Sequence, residues 1–253
     1  MIRTISLAML GATAFAPVAA EEPRSQPLQV TVVLAHPDDE LPMAPALAAL
    51  ARQGAEVTLI YATNGDAGPG VSDLPPGQEL GAVRFEEANC AMRALSAKAA
   101  VDFRFGDGTL GTGAHHDNSA ARGLAEALAN WLGDMDLVLT WGPDGGYGHA
   151  DHRMVSAIVT QIAQARPAAE RPKLLYVGIP TGSLPPVPEM VAWATTDPAL
   201  LTETIAYTPA DLAAATAAAQ CHVTQFDAAT RAGMMALFDA TMWRGRVHFR
   251  PAF

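Results

Sequence analysis

The chain has 253 residues, with 16 basic and 26 acidic side chains, so its formal net charge is −10. Half of the residues are hydrophobic and 17% are charged, which is typical of a globular protein and not of a disordered or collagen-like chain. The acidic balance argues against partners such as nucleic acid or an anionic membrane, because both require clustered Lys and Arg. Two cysteines are too few for a disulfide framework or a four-cysteine zinc site.

Residues 1–20 have the pattern of a secretory signal peptide. Arg3 is followed by a short apolar run, and small side chains precede Glu21. The run is short for a permanent membrane helix, and Pro17 interrupts its end. An uncleaved anchor or a buried core helix is the alternative. We therefore expect a mature domain over 21–253, periplasmic or secreted, with no stable membrane insertion after cleavage.

Short apolar, β-branched runs alternate with helical patterns along the rest of the chain. The predicted strands are residues 28–35, 56–63, 101–105, 136–140 and 173–179, and the predicted helices are residues 41–52, 79–97, 119–132 and 152–165. This alternation predicts an α/β fold, a Rossmann-like, doubly wound and mostly parallel sheet flanked by helices in a single domain.

The C-terminal part departs from this alternation. Residues 180–198 are rich in Pro and Thr, and we expect either an irregular excursion close to the site or a flap over the substrate. Beyond them we expect an edge strand over 202–207, an alanine-rich helix over 209–221, a further short helix, and a strand over 246–249.

Cys90 and Cys221 are the two cysteines. Export would place them in an oxidising compartment, where they can form a disulfide. Two small buried hydrophobic residues are the other interpretation. Both stay open, because the sequence does not give the distance between the two Cα atoms.

The first predicted strand runs directly into His36-Pro37-Asp38-Asp39-Glu40. Ligands of open α/β sheets bind at the carboxyl ends of strands. Burying an imidazole and three carboxylates there is costly unless they have a role. His36 and Asp39 can face one metal ion, with Asp38 beside it. A helix cap by one of the aspartates is the structural alternative.

The fourth predicted strand leads to a second polar cluster, which holds Tyr147, His149, Asp151, His152 and Arg153. Two histidines three residues apart at a helix start can share a face, and histidine is a common zinc ligand. The two clusters together can give one zinc ion two histidines and a carboxylate. That set is typical of catalytic zinc, because a fourth position stays open for water.

These paired motifs resemble those of the PIG-L/LmbE family, whose members are zinc-dependent N-deacetylases of N-acetylglucosamine-type sugars and related amidases. The resemblance extends from the first strand to Gln225. Asp66 stands where the family usually has Glu, and Ala150 where it usually has Pro. Weaker matches are residues 63–66, Arg84 with Glu87, and residues 221–225.

The resemblance implies that His36, Asp39 and His152 hold one Zn²⁺ per chain. Asp38 would then be the general base that accepts a proton from the metal-activated water. The same ligand types would also accept iron, cobalt or nickel.

The resemblance also makes His149 an oxyanion-stabilising or acid group, and the Tyr147 hydroxyl is a further donor. Either Asp38 or His149 would protonate the leaving amine. We expect Asp151 to hydrogen-bond His149, to orient it and to raise its pKa.

Four other polar residues are candidates for supporting roles. Asp66 is expected to be the carboxylate partner of a zinc-bound histidine. Arg84 and Glu87 are expected to form a structural ion pair, with a substrate contact as the alternative. His222 is either a residue of the site or a structural histidine at a helix end.

The sequence therefore predicts a secreted zinc-dependent hydrolase that removes the acetyl group from a small N-acetylated saccharide. The alternatives are a metal-dependent amidase acting on another sugar-linked amide and a catalytically inactive carbohydrate-binding relative. Asp38 argues against the last, because a binding protein needs no base beside its metal. The low aromatic content, 6%, argues against a long stacking platform for polymers.

Overall fold

The structure, a computed structural model, describes residues 26–253. The signal peptide predicted for residues 1–20 lies outside the described residues and stays a prediction. Within residues 26–253, no helix combines the length and the apolar character needed to cross a membrane.

The described residues contain a seven-stranded mixed sheet in the order β3-β2-β1-β4-β5-β7-β6. Strands β1 to β5 pair in parallel, and β7 runs antiparallel to both β5 and β6. The predicted, mostly parallel α/β fold is confirmed, and β6 is the edge strand expected near residue 204. The strands are β1 Gln29–Leu34, β2 Glu56–Thr63, β3 Ala99–Phe105, β4 Leu137–Trp141, β5 Lys173–Val177, β6 Glu203–Ala206 and β7 Arg246–Pro251.

Helices cover both faces of the sheet. Helices α1, α2, α5 and α6 pack on one face, and α3 and α4 pack on the other. The helix predicted over 41–52 begins instead with a 3₁₀ turn at Leu41–Met43, because Pro45 has no N–H to donate to the carbonyl oxygen of Leu41. The helices are α1 Ala44–Arg52, α2 Gln78–Ala94, α3 Ala120–Trp131, α4 Ala150–Gln164, α5 Pro209–Cys221 and α6 Ala228–Phe238.

Strand β1 is hydrophobic on both sides because it lies inside the sheet with helices on each face. Val30, Val32 and Leu34 point to the side of α1, whereas Val33 and Ala35 point to the side of α3. All five side chains are buried. This burial explains the continuous apolar run and leaves the polar residues to begin where the strand ends.

Strands β1 and β4 are neighbours in the sheet, although two strand–helix units separate them in sequence. The chain leaves β1 toward β2 on one side and later places β4 on the other, so a crevice opens between their carboxyl ends. The two polar clusters follow these two strands. The strand order therefore brings the clusters together.

Cys90 in α2 and Cys221 at the end of α5 form a disulfide, with their Cα atoms 5.7 Å apart. The interpretation of the pair as two small buried hydrophobic residues is therefore wrong. The bond fixes the end of α5, and the chain that follows it, against α2.

Candidate functional site

Asp39 ties together the turn that follows β1. Its Oδ2 atom accepts hydrogen bonds from the main-chain N–H groups of Ala35, at 3.0 Å, and His36, at 2.8 Å. Its Oδ1 atom lies 3.0 Å from Nε2 of His152. Asp39 therefore braces its own turn with one oxygen and presents the other to the second cluster.

His152 is oriented as a metal ligand requires. Its Nδ1 atom lies 3.2 Å from the carbonyl oxygen of Gly145, which can only accept, so Nδ1 carries a proton and Nε2 is the ring atom directed at the cluster. The ring also stacks on Trp141, with centroids 5.3 Å apart and planes 11° apart. Gly145 has φ +72°, and a Cβ there would lie 2.9 Å from the carbonyl oxygen of His149, so the turn requires glycine.

The three predicted metal ligands converge. Nε2 of His152 lies 3.2 Å from Nδ1 of His36 and 3.0 Å from Oδ1 of Asp39, and the other oxygen of Asp39, Oδ2, lies 3.6 Å from Nδ1 of His36. Tetrahedral zinc with bonds of about 2.0–2.1 Å places its ligand atoms about 3.3 Å apart. The donor types, and the separations of His152 from its two neighbours, therefore fit a zinc-sized cation.

The other side of the His36 ring faces two carboxylates. Nε2 lies 2.9 Å from Asp107 and 3.5 Å from Asp151, yet it is buried and has no partner in hydrogen-bond geometry among residues 26–253. Burial disfavours the charged ring, but Asp107, Asp151 and Asp39 outweigh it and raise the pKa of His36 well above its usual value. Carboxylates behind an imidazole are typical of metal-bound histidine, and they favour positive charge at this position.

Within residues 26–253, two other sets of three residues keep their ligand atoms within 4.8 Å of one another. One is His36 with His149 and His152, and the other is His36 with Asp107 and Asp151. The set that includes Asp39 is the one that the family resemblance implies, so we adopt it for the proposal below.

Asp66 does not take the role expected for it. Its carboxylate accepts a hydrogen bond from the main-chain N–H of Asp107, at 3.0 Å, and Asp107 is the residue whose carboxylate meets His36. Asp66 therefore holds the loop that carries the partner. Asp107 was missed because its only signal is its place after the carboxyl end of β3, in a glycine-rich loop.

Asp38, in the turn after β1, has a rare backbone conformation. Its φ is +100°, and its side chain is 18% exposed. Burial raises the pKa of its carboxyl to about 6, opposed by the nearby Arg84 and reinforced by Asp39. A carboxyl group with a pKa near neutrality is matched to general base work.

Arg84 joins the loops below Asp38. Its guanidinium donates to the carbonyl oxygens of Pro37 and Gly65, each at 2.8 Å. Glu87 instead accepts hydrogen bonds from the main-chain N–H and the hydroxyl of Thr224. The predicted Arg84–Glu87 ion pair is therefore wrong, because each residue is satisfied by a different loop.

His149 is the N-cap residue of α4. Its Nδ1 atom accepts the main-chain N–H of Asp151 at 3.2 Å, so the neutral ring carries its proton on Nε2. The Asp151 carboxylate turns away and accepts from the N–H groups of Gly108 and Leu110. Burial and the neighbouring His36 lower the pKa of His149. The expectation that Asp151 binds His149 through its carboxylate is therefore wrong. The charge of Asp151 does act to raise the pKa of His149, as expected, but burial and His36 outweigh it.

Two aromatic side chains form a wall beside the cluster. Tyr147 is 46% exposed, and its ring lies 5.2 Å from that of His152. Trp193, from the Pro- and Thr-rich stretch, lies 5.5 Å from Tyr147, and the N–H of Ala194 donates to the carbonyl oxygen of Gly146. Burial raises the pKa of Tyr147, which keeps its hydroxyl a donor. The stretch is irregular and close to the site, as predicted.

His222 belongs to the interior of the site. It is buried at the end of α5, and its Nε2 atom lies 2.5 Å from the carboxylate of Glu40. Burial opposes the charge on His222, but Glu40 outweighs it and raises the pKa of His222. Glu40, for which no role was predicted from the sequence, follows directly after Asp38 and Asp39.

The family model described as PIG-L, GlcNAc-PI de-N-acetylase, matches residues 31–163, more than half of the chain and both polar clusters. The chain belongs to the PIG-L family. The resemblance read from the sequence is thereby confirmed.

Relatives of this PIG-L chain have names that describe one activity. It is 38% identical over 157 residues to the 1D-myo-inositol 2-acetamido-2-deoxy-alpha-D-glucopyranoside deacetylase of Nakamurella multipartita, covering 53% of this chain and 54% of that one. It is 32% identical over 172 residues to the protein of the same name from Streptomyces avermitilis, covering 58% and 56%. The chain thus spans little more than half the length of these relatives.

Among solved structures, the PIG-L chain resembles the N,N'-diacetylchitobiose deacetylase of Pyrococcus horikoshii. The TM-score is 0.63 at 18% identity, and the alignment covers 88% of this chain and 83% of that one. At this level of identity the likeness shows that the two chains share a fold.

Proposed function

We propose that the protein is an exported, zinc-dependent hydrolase that removes the acetyl group from a small N-acetylated amino sugar. The observation that carries the proposal is the position of Asp38, a carboxyl group with a pKa of about 6, beside three convergent metal-ligating side chains. A metal site that only binds a ligand has no use for a base at this place.

His36, Asp39 and His152 would hold the cation. A divalent cation bound there would supply Lewis acidity. Asp38 accepts the proton of the water that attacks the amide carbon, and as the carbon–nitrogen bond breaks the leaving amine takes a proton from Asp38 or His149. Arg84, whose guanidinium lies 3.4 Å from Oδ2 of Asp38, keeps that carboxylate directed toward the turn.

Two donors stabilise the charge that develops on the amide oxygen. His149 is neutral at pH 7, because its pKa is lowered, and its proton resides on Nε2. The Tyr147 hydroxyl stays protonated and is partly exposed beside the ligand cluster. Fixed donors aimed at a developing oxyanion act without reorganisation during the reaction.

The aromatic wall supports a sugar as the substrate. The ring of Tyr147 lies 5.2 Å from that of His152, and the ring of Trp193 lies 5.5 Å from that of Tyr147. The apolar face of a pyranose packs well on such rings. The wall consists of two rings, which suits a mono- or disaccharide. The names of the relatives, which describe acetamido sugars as substrates, support the same class.

Export is part of the proposal. Disulfides persist in oxidising compartments and are rare in the cytosol, so the Cys90–Cys221 bond supports a periplasmic or secreted protein. The pattern of residues 1–20 supports the same location.

The test is acetate release by zinc-loaded protein from N-acetylglucosamine, its inositol glycoside and N,N'-diacetylchitobiose, with an N-acetylated amino acid as a non-sugar amide. We expect equal amounts of acetate and free amine from at least one sugar. Asp38→Asn should lose about 10²-fold or more in kcat, and His115→Ala, an exposed histidine outside the cluster, should be unchanged. No acetate from any sugar, or full activity in Asp38→Asn, would contradict the proposal.

A further inference from the structure

A fully buried glutamate next to the proposed base has no role in the chemistry described so far. Glu40 has no exposed surface, and its Oε2 atom accepts hydrogen bonds from the main-chain N–H of Asp38, at 3.1 Å, and from the hydroxyl of Tyr61, at 3.0 Å. Its Oε1 atom meets Nε2 of His222. A buried carboxylate is costly unless it is hydrogen-bonded, and here three donors contact Glu40.

The donor that distinguishes this array is the N–H of Asp38. With φ at +100°, Asp38 occupies a strained region that residues with a side chain rarely adopt. The surroundings must therefore hold the residue there. Glu40 accepts the N–H of the peptide group that joins Pro37 to Asp38, and Arg84 donates to the carbonyl oxygen of the same group, so both of its polar atoms are held.

The array is anchored at a distance. Cys221 is bonded to Cys90 in α2, and Thr224 is hydrogen-bonded through its N–H and hydroxyl to Glu87, also in α2. His222 lies between these two attachments. Its imidazole is thus fixed from both ends of a four-residue segment, which we call the 221–224 segment.

We infer that Glu40 is a positioning residue, held by His222 and the anchored 221–224 segment, that keeps Asp38 in the backbone conformation in which its carboxylate works as the base. This inference rests on the proposed function for the role of Asp38. It adds that the disulfide, far from the reacting atoms in sequence, supports the geometry of the base.

The variants Glu40→Ala and Glu40→Gln separate position from charge. Glu40→Ala removes the acceptor, so we expect kcat to fall by about 10²-fold, the contribution of a general base, with KM and bound metal unchanged. In Glu40→Gln the amide oxygen replaces Oε2 for Asp38 and Tyr61, and the amide N–H₂ donates to neutral His222. We therefore expect Glu40→Gln to keep kcat within about threefold.

Asp211→Ala is the matched control. Asp211 is also a buried carboxylate with several partners, Arg52 and Thr208 among them, but it lies at the start of α5, outside the site. We expect Asp211→Ala to lower the Tm and, at temperatures below that Tm, to leave kcat unchanged. Equal losses of kcat in Glu40→Ala and Asp211→Ala would show that Glu40 acts only on stability and would overturn the inference.

A second readout does not depend on activity. Hydrogen exchange of the Asp38 amide should be slow in the wild type and in Glu40→Gln, and faster in Glu40→Ala or, if that variant does not fold, in His222→Ala. An inactive wild type with this exchange pattern would refute the proposed function and leave the positioning intact. An active wild type with unchanged kcat and unchanged Asp38 exchange in the alanine variants would refute the inference alone.

Discussion

The disulfide between Cys90 and Cys221 should contribute a large part of the protein's stability, and the double variant Cys90→Ser/Cys221→Ser tests this directly. The bond closes a loop with a sequence separation of 131 residues. In the chain-entropy treatment, a loop of that length removes about 17 cal/mol/K from the unfolded chain, or about 5 kcal/mol at 25 °C. Domains of this kind are stable by about 5–15 kcal/mol, so the loss would be a substantial fraction.

The assay is urea unfolding of the oxidised wild type and of the double variant, followed by circular dichroism. We expect a loss of about 2–5 kcal/mol in the free energy of unfolding and a fall in Tm on the order of 10 °C. A reducing agent should lower the stability of the wild type by a similar amount and leave that of the double variant unchanged. Two reactive thiols in the denatured, non-reduced wild type, or equal stability of both proteins, would refute the reasoning.

Three further predictions address the site. Asp38 must be ionised to act, and burial raises its pKa to about 6, so kcat/KM of the metal-saturated protein should fall as the pH drops. The midpoint of this fall should lie at or below pH 6, because the bound cation lowers the pKa of Asp38. A pH profile that stays flat down to about pH 4 would contradict this prediction. Gly65→Ala would place a Cβ 2.2 Å from the buried guanidinium of Arg84, whereas the Cβ of Gly54→Ala, at a similarly positive φ, meets nothing within 4 Å. Urea unfolding should therefore show that Gly65→Ala lowers the free energy of unfolding by about 2 kcal/mol more than Gly54→Ala does, and equal losses would contradict this. Trp193→Ala should raise KM for the sugar about 3- to 10-fold and change kcat by no more than about twofold. The control is Trp131→Ala, which replaces a partly exposed tryptophan on α3 and should leave both constants unchanged. An unaltered KM in Trp193→Ala would show that the aromatic wall does not bind the substrate.

The fold was predictable from the sequence where a strand is buried on both faces. β1, β2 and β4 consist mostly of apolar and β-branched residues that are buried, a pattern typical of inner strands in an α/β protein. The order of the strands was not predictable in the same way, because it depends on pairing between distant segments. The start of α1 was misplaced because Pro45 cannot make the helical hydrogen bond to Leu41, which a pattern of apolar residues does not show.

The candidate site was predictable to the extent that its residues adjoin strand ends. His36, Asp39 and His152 converge as expected, because their motifs follow neighbouring parallel strands. Asp107 and Glu40 were missed, since neither has a local signature of its own.

Roles that depend on side-chain direction were also beyond the sequence. Asp151 lies two residues from His149, yet at the start of α4 its carboxylate points to the N–H groups of the 108–110 loop. Its main-chain N–H, not its side chain, is what meets His149. Nearness in sequence therefore predicted a contact between the right residues through the wrong atoms.

The central claim is that two distant motifs build one metal-dependent site, and metal content tests it most directly. After dialysis against zinc and removal of unbound ion, elemental analysis of wild type and Asp38→Asn should each give about one equivalent per chain. His152→Ala should give none, while remaining folded by circular dichroism. A wild type that takes up no divalent ion, or a His152→Ala variant that retains a full equivalent, would contradict the account.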